Sequence, residues 1–208
     1  MPGAAFATGD RVTLRTVESE DAPFIRDRSN DPLVREPMTL DGPRNLDSIE
    51  EHITGDTDDF VQFLVCLDDE AVGVDDAYVR RGEDAPAGAD AVEPIGLVML
   101  FGIDEREGNA SFAYWLSPAA HGRGYGTEAA ALGLDYAFDH RRLDRVNARV
   151  LDTNDASIGL LETLGFVHEG TQRAEKFVDG DRVDTRMYGV LVDEWREARA
   201  ALDVALDD

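Results

Sequence analysis

Apolar and polar positions alternate along Arg11–Val17, where Val12, Leu14 and Thr16 share one face, so the first strand is predicted there. Ser19 stands before the next apolar run as the cap of a helix over Asp21–Ser29, and Asn30, Asp31 and Pro32 end it. A second helix is predicted over Leu46–Ile53. Strands follow over Phe60–Leu67, Gly96–Ile103 and Asn109–Leu116, with the polar turn Asp104–Gly108 between the last two. Gly96–Ile103 is apolar almost throughout, which suits a central strand covered on both faces.

The second half is more regular. A helix over Gly126–Asp139 carries Ala130, Leu134, Ala137 and Phe138 on one stripe. Arg145–Leu151 alternates as a strand, and Asp155–Leu164 reads as a helix stopped at Gly165, the residue type that favours a helix C-terminus. Phe166–Arg173 and Val183–Val192 form the strands of a hairpin around Asp179-Gly180. An amphipathic helix over Asp193–Leu206 closes the chain, packed on the sheet or mediating a homodimer.

At 208 residues with 43% hydrophobic content, the chain suits one globular domain spanning 1–208. No apolar run approaches the roughly 18 residues that cross a bilayer, and Met1–Asp10 lacks a signal peptide's charged and apolar regions. A cytoplasmic, membrane-free protein is expected. Cys66 is the single cysteine, so neither an internal disulfide nor a cysteine-rich metal site can form. No metal is expected. Its place in the apolar run Phe63–Leu67 predicts core packing.

The formal net charge of -24 argues against nucleic acid as a partner, because phosphate binding needs a basic face. Lys176 is the only lysine against nineteen arginines, and the acids are dispersed along the chain. A surface of this kind fits a protein adapted to high salt, where screening over about 3 Å at 1 M removes the self-repulsion. Nine acids lie within Asp68–Glu93, among Gly, Ala and Pro, which predicts a mobile surface insertion between two strands.

The chemistry concentrates after the Asn109–Leu116 strand. There the order is strand, Pro118, a turn with Gly122, Gly124 and Gly126, then helix. Glycines let a backbone approach a ligand closely, and the free N–H groups of a helix start attract phosphate oxygens. The spacing G-x-G-x-G is not the dinucleotide fingerprint G-x-G-x-x-G, and Thr127 follows Gly126 without the lysine a P-loop needs. Taken alone, the turn also admits the reading of a flexible connection without a ligand.

The segment Tyr114–Ala130, YWLSPAAHGRGYGTEAA, resembles the acetyl-coenzyme A motif of the GNAT superfamily, with Q/R-x-x-G-x-G/A appearing as His121, Gly122, Arg123, Gly124, Tyr125 and Gly126. The downstream LDTNDASIGLLETLGFVHEG is similar to that family's asparagine segment and its Gly-Phe landmark at Gly165-Phe166. More narrowly, YWLSP, GTEA, Asn154 with Ser157, and GFVHEG resemble the Rim-type branch, which includes ribosomal-protein N-terminal acetyltransferases and relatives acting on other small amines. The resemblance covers about residues 11–192. It implies one α/β domain with a mixed, mostly antiparallel sheet flanked by helices, and the cofactor entering between two splayed central strands. It also implies N-acetyl transfer from acetyl-coenzyme A to a primary amine. A protein or peptide N-terminal α-amine is the expected acceptor, with a small-molecule amine or a non-catalytic acyl-coenzyme A-binding module as alternatives.

Acetyl transfer to an amine needs a held thioester, a neutral amine, a donor to the developing oxyanion and a proton for the leaving thiolate. By the resemblance, the Leu116 backbone N–H faces the thioester oxygen, and the stretch Arg123, Gly124, Tyr125, Gly126 and Thr127 holds the pyrophosphate, with His121 and Gly122 leading into it. Asn154 bonds the pantetheine arm and Ser157 supplies the thiolate's proton. Each has a structural alternative: Asn154 as a helix cap and Ser157 as a surface hydroxyl. Glu175 is the candidate base, with Tyr114 and His121 as further candidates. Glu128, in the first helical turn, reads as structural. His121 replaces the usual Gln, Arg or Trp. Leu161 stands where many members of the superfamily carry a tyrosine acid seven residues after the asparagine.

Overall fold

The computed structural model describes residues 3–54, 58–68, 74 and 92–202. Its elements run β1 (Ala5–Thr8), β2 (Thr13–Arg15), α1 (Ala22–Asn30), α2 (Pro32–Arg35), α3 (Leu46–Thr54), β3 (Phe60–Asp68), β4 (Val92–Asp104) and β5 (Asn109–Leu116). Then come α4 (Tyr125–Asp135), β6 (Arg145–Leu151), α5 (Asp155–Thr163), β7 (Val167–Val178), β8 (Asp181–Leu191) and α6 (Val192–Ala201). Eight strands form one sheet in the order β1-β2-β3-β4-β5-β6-β8-β7. Every neighbouring pair is antiparallel except β5 with β6, which run parallel. This is a mixed α/β sheet flanked by helices, as expected.

Two layers of core follow from the period-2 alternation of the strands. On one face Val65, Val98, Leu100, Phe112, Val146, Ala148 and Val190 pack with the Ala129–Leu134 stretch of α4 and with Leu161 of α5. On the other, Leu64, Cys66, Leu97 and Trp115 pack under α1, α2 and α3 through Phe24, Val34 and Ile49. Cys66 is fully buried in that second layer, as its apolar surroundings in the sequence predict.

The N-terminal region departs from expectation. The single strand predicted over Arg11–Val17 is only Thr13–Arg15, and β1 precedes it as an edge. Ser19 is not the cap of α1. A 3-10 turn over Ser19–Asp21 intervenes, with Glu18 at its start donating its backbone N–H to Asp21 Oδ2 at 2.7 Å. The breakers Asp31 and Pro32 end α1 but also begin α2, because Asp31 Oδ1 accepts the Leu33 N–H at 3.0 Å.

Strand β4 is central, as its apolar run predicts, but begins at Val92, so Val92 and Glu93 belong to the sheet rather than to an insertion. Residues 69–73 and 75–91 of the predicted acidic insertion lie outside the described residues. Helix α4 starts one residue earlier than predicted, at Tyr125, and after Asp135 it widens into a π-helical stretch over Tyr136–His140. Gly165, at φ +82, ends α5 as expected. The hairpin turns on Asp179 (φ 51) and Gly180 (φ 95), a backbone that favours such residues, although its strands run closer to the turn than predicted. Helix α6 begins at Val192 and is described to Ala201; the predicted extension over 203–206 lies outside the described residues.

Candidate active site

Strands β5 and β6 pair only over Asn109–Ser111 with Arg145–Asn147. Beyond this they part: β5 stays with β4 as far as Leu116, while β6 stays with β8 as far as Leu151. Asn147 marks the parting, donating Nδ2 to the Ala110 carbonyl at 3.3 Å. The gap has a definite polar edge. Ser117 N–H bonds the Ile95 carbonyl at 2.7 Å, and in an antiparallel ladder bonded and non-bonded positions alternate. Leu116 and Tyr114 therefore turn their backbone N–H and C=O groups away from β4 and into the gap.

At the mouth of the gap, His121 Nε2 lies 3.0 Å from the Leu116 carbonyl. A carbonyl only accepts, so Nε2 carries the proton and the ring is held as that tautomer or as the cation. Gly122 (φ +72) and Gly124 (φ +84) then take a left-handed backbone, and the space where a Gly122 side chain would stand is open. No side chain caps α4, and its first backbone bond runs from Glu128 N–H to the Gly124 carbonyl at 3.3 Å. The N–H groups of Tyr125, Gly126 and Thr127 thus open outward at the positive end of the helix.

Glu128 has the structural place read for it. Fully buried, it accepts the backbone N–H groups of Arg11 and Val12 at 2.6 and 3.1 Å and Arg11 Nε at 2.9 Å. Arg11 in turn donates Nη1 to the Arg123 carbonyl at 2.9 Å and lies 5.6 Å from the centre of the Tyr125 ring. Its guanidinium would sit 3.1 Å from any Cβ added to Gly124. The sequence reading missed Arg11. Nothing local signals it, because the ion pair spans 117 positions.

The gap opens into a cavity of about 830 Å³ that also reaches the α1–α2 region. Leu116, His121, Gly122, Gly124, Gly126, Thr127, Asn154 and Ser157 all line it, so the glycine turn and the asparagine segment meet as the sequence predicts. Arg123 and Tyr125 are not among the lining residues; Arg123 contributes backbone to the turn and Tyr125 stacks toward Arg11. Asn154 is the cap of α5, its Oδ1 accepting Ser157 N–H at 3.1 Å, while its Nδ2 remains without a partner among the described residues. Cap and ligand are therefore compatible roles for one amide.

Tyr114 gains importance from the structure. Its Oη is buried without a hydrogen bond of ordinary geometry, and the Ser157 hydroxyl lies beside it. Burial pushes the phenol above its usual pKa of 10, and the Ser157 contact opposes this more weakly. At neutral pH the group is a proton donor rather than a base. Leu161 also lines the cavity and is almost fully buried, so that position supplies no hydroxyl.

Glu175 lies in a bulge of β7, where Gln172 pairs with Thr185 but Lys176 pairs with Val183. Five residues of β7, Gln172 to Lys176, face three of β8, an excess of two, and Ala174 (φ 51) makes the kink, held by its N–H to Asp184 Oδ1 at 2.7 Å. Arg149 of β6 bonds Glu175 Oε1 and, at 2.9 Å, Gln172 Oε1. The Arg149 guanidinium, and after it the Thr185 hydroxyl, hold the Glu175 carboxyl below the usual carboxylate range. Glu175 itself does not line the cavity, whereas Arg149, Lys176 and Thr185 do.

A mixed sheet parted between two central strands, with a glycine turn feeding a helix at the parting, is the framework of an N-acetyltransferase. The GNAT acetyltransferase domain matches residues 11–167, and the chain belongs to that family. It is 28% identical over 183 residues to the uncharacterized N-acetyltransferase YoaA of Bacillus subtilis, covering 88% of this chain and 94% of that protein. Identity to the spermidine N(1)-acetyltransferase of Vibrio cholerae is 25% over 179 residues, covering 86% and 92%. A solved structure of spermidine N-acetyltransferase from Vibrio cholerae, in complex with CoA and spermine, superposes with a TM-score of 0.72 at 24% identity, over 89% of this chain and 98% of that one. The protein is an acetyl-coenzyme A-dependent N-acetyltransferase with an amine as acceptor.

Among the described residues no group of acidic, histidine or cysteine side chains could hold a metal ion, and no helix is long and apolar enough to cross a membrane.

Proposed function

We propose that the acceptor is an α-amine, of a protein or peptide N-terminus or of a small molecule, and that the parted strands and the glycine turn hold the donor. One observation carries the choice of amine. Among the described residues lining the cavity there is no Asp or Glu, in a chain with 44 of them. A polyamine carries several positive charges that need carboxylates, and an alkylamine with pKa near 10.4 costs about 3.5 kcal/mol more to deprotonate than an α-amine near 7.8. An α-amine is already partly neutral and makes neither demand.

The residues fit the donor. The backbone groups that Tyr114 and Leu116 turn away from β4, the Leu116 carbonyl already bonded to His121, suit an amide-bearing arm, and the open N–H groups before Glu128 suit a pyrophosphate. Acetyl-coenzyme A supplies the acetyl thioester. Leu116 N–H donates to the thioester oxygen as charge develops there, and Asn154 Nδ2 holds the pantetheine arm. As the amine nitrogen bonds the acetyl carbon and the carbon–sulfur bond breaks, one proton must leave nitrogen and one must reach sulfur. Ser157 and Tyr114 converge as the source of the second; the phenol is the stronger acid of the two hydroxyls. The amine's proton passes to solvent; Glu175, ionised beside Arg149 and outside the cavity lining, is not its direct acceptor.

The test is release of free thiol from acetyl-coenzyme A in the presence of N-terminal peptides, amino acids and spermidine. Turnover with α-amines and little with spermidine is expected. Faster turnover with spermidine than with every α-amine would refute the reading.

A further inference from the structure

The acceptor side of the cavity has two unlike parts. Period-2 alternation places Asn147 and Arg149 of β6 on the sheet face opposite Val146, Ala148 and Val150, which lie in the α4 layer. The register of β8 and β7 puts Thr185 and Lys176 on that same face. The same cavity is lined by apolar side chains: Leu33, Pro37 and Met38 from the α1–α2 region, with Met99 and Phe101 of β4, which share the sheet face of Asn147. Leu33 and Phe101 are among the exposed large hydrophobic residues of a highly acidic chain.

Lys176 is the single lysine of the chain, and it lines this cavity. Among the described residues its ammonium makes no hydrogen bond and no ion pair, although acids outnumber bases 44 to 20. Arg149, its neighbour in the lining, is already bonded to Glu175 and Gln172. Two extra residues at Arg173–Glu175 keep Lys176 on the same face as Gln172 but set it opposite Val183, two positions nearer Thr185 than an unbroken ladder would. The carboxylate that Lys176 acts on through space, Glu175, lies outside the lining, and no acid lines the cavity itself, so the ammonium is suited to an anion that arrives with the ligand. The pyrophosphate end lies elsewhere, at the start of α4.

We infer that Lys176 binds a carboxylate carried by the acceptor close to its amine, with an apolar side chain of the acceptor against Met38, Met99 and Phe101. The acceptor is then a free apolar amino acid, or a peptide whose apolar first residue is followed by an acidic one. This rests on the α-amine reading above and narrows it.

The experiment measures kcat/KM for two matched pairs of acceptors: methionine against methioninamide, and C-terminally amidated Met-Asp against amidated Met-Asn. Each pair is assayed with the wild type and with Lys176→Met, which keeps the apolar stem. Amine pKa differs within a pair but not between enzymes, so the change in the ratio isolates the side chain. Loss of the carboxylate preference by about 10-fold in one pair is expected, with retention in Lys176→Arg. The pair affected tells a free amino acid from a peptide. Lys176→Glu should lower the ratio further. Acetyl-coenzyme A affinity and melting temperature serve as the folding control and should not move. A ratio unchanged within about twofold in Lys176→Met, for both pairs, overturns the proposal while leaving acetyl transfer to α-amines standing. Absence of turnover with all four acceptors, alongside turnover with spermidine, overturns both.

Discussion

The two ends of the cavity are built from different materials. The end proposed for the donor is backbone: the edge of β5 turned away from β4, the glycine turn and the open start of α4. The acceptor end is side chains, gathered from α1–α2, β4, β6 and a bulge in β7. Backbone groups present the same donors whatever residue carries them, so such an end tolerates His121 in an unusual position. Side chains at the end proposed for the acceptor would set which amine enters. The contrast teaches that one site can be fixed in its donor and free to change its acceptor.

The sharpest way to break the donor end is Gly126→Glu. A Cβ at Gly126 would lie 3.2 Å from Leu160 Cδ1 and 3.6 Å from Leu116 Cδ1, and the longer side chain would be forced toward the cradle with a negative charge. Like charges juxtaposed at an interface cost several kcal/mol. Calorimetry should show acetyl-coenzyme A affinity falling at least ~100-fold, and unchanged affinity would remove the cradle from the site.

That end was also the more legible one in the sequence. Gly122, Gly124, Gly126, Asn154 and Gly165 sit in short stretches whose local order, strand, turn and helix, is what gives them their geometry. The fold was legible for the same reason wherever one element's pattern decided it, as in the apolar β4 or the Asp179-Gly180 turn. What escaped depended on distant pairing. Arg11 meets Glu128 only because β2 passes the start of α4, and the place of Lys176 opposite Val183 depends on two extra residues in β7. Tyr114 was visible as a candidate but with the opposite task, since only burial shows that its phenol keeps its proton.

Tyr114→Phe therefore separates the ends in a second way. The ring packs as before, the hydroxyl beside Ser157 is lost, and the cradle is untouched. General acid catalysis contributes roughly 10²–10⁴-fold when a single donor supplies it, and a fall near the lower limit is expected with Ser157 still present. Single-turnover kcat should drop ~100-fold while acetyl-coenzyme A affinity holds. A loss of affinity with kcat unchanged would make Tyr114 a packing residue.

The smallest effect is expected at the acceptor end, from Glu175→Gln. Because Arg149 and Thr185 hold the Glu175 pKa below its ordinary 4.5, the carboxylate is ionised throughout the range where an α-amine titrates. The acid limb of the rate profile should then follow the amine, near pH 7.8 for a peptide, and should stay in place in the variant with kcat lowered less than about threefold. Stability gives the sign a second check. A depressed carboxyl pKa stabilises the fold above the unfolded value, and this is lost as pH falls through the lower folded value. The variant should be less stable than the wild type at neutral pH, begin to approach it as pH falls past about 4.5, and match it only below the depressed folded value, where the wild-type carboxylate takes up its proton. If instead the acid limb moves with Glu175→Gln, the carboxylate is the group that sets the working protonation state, and the acceptor end depends on a base after all.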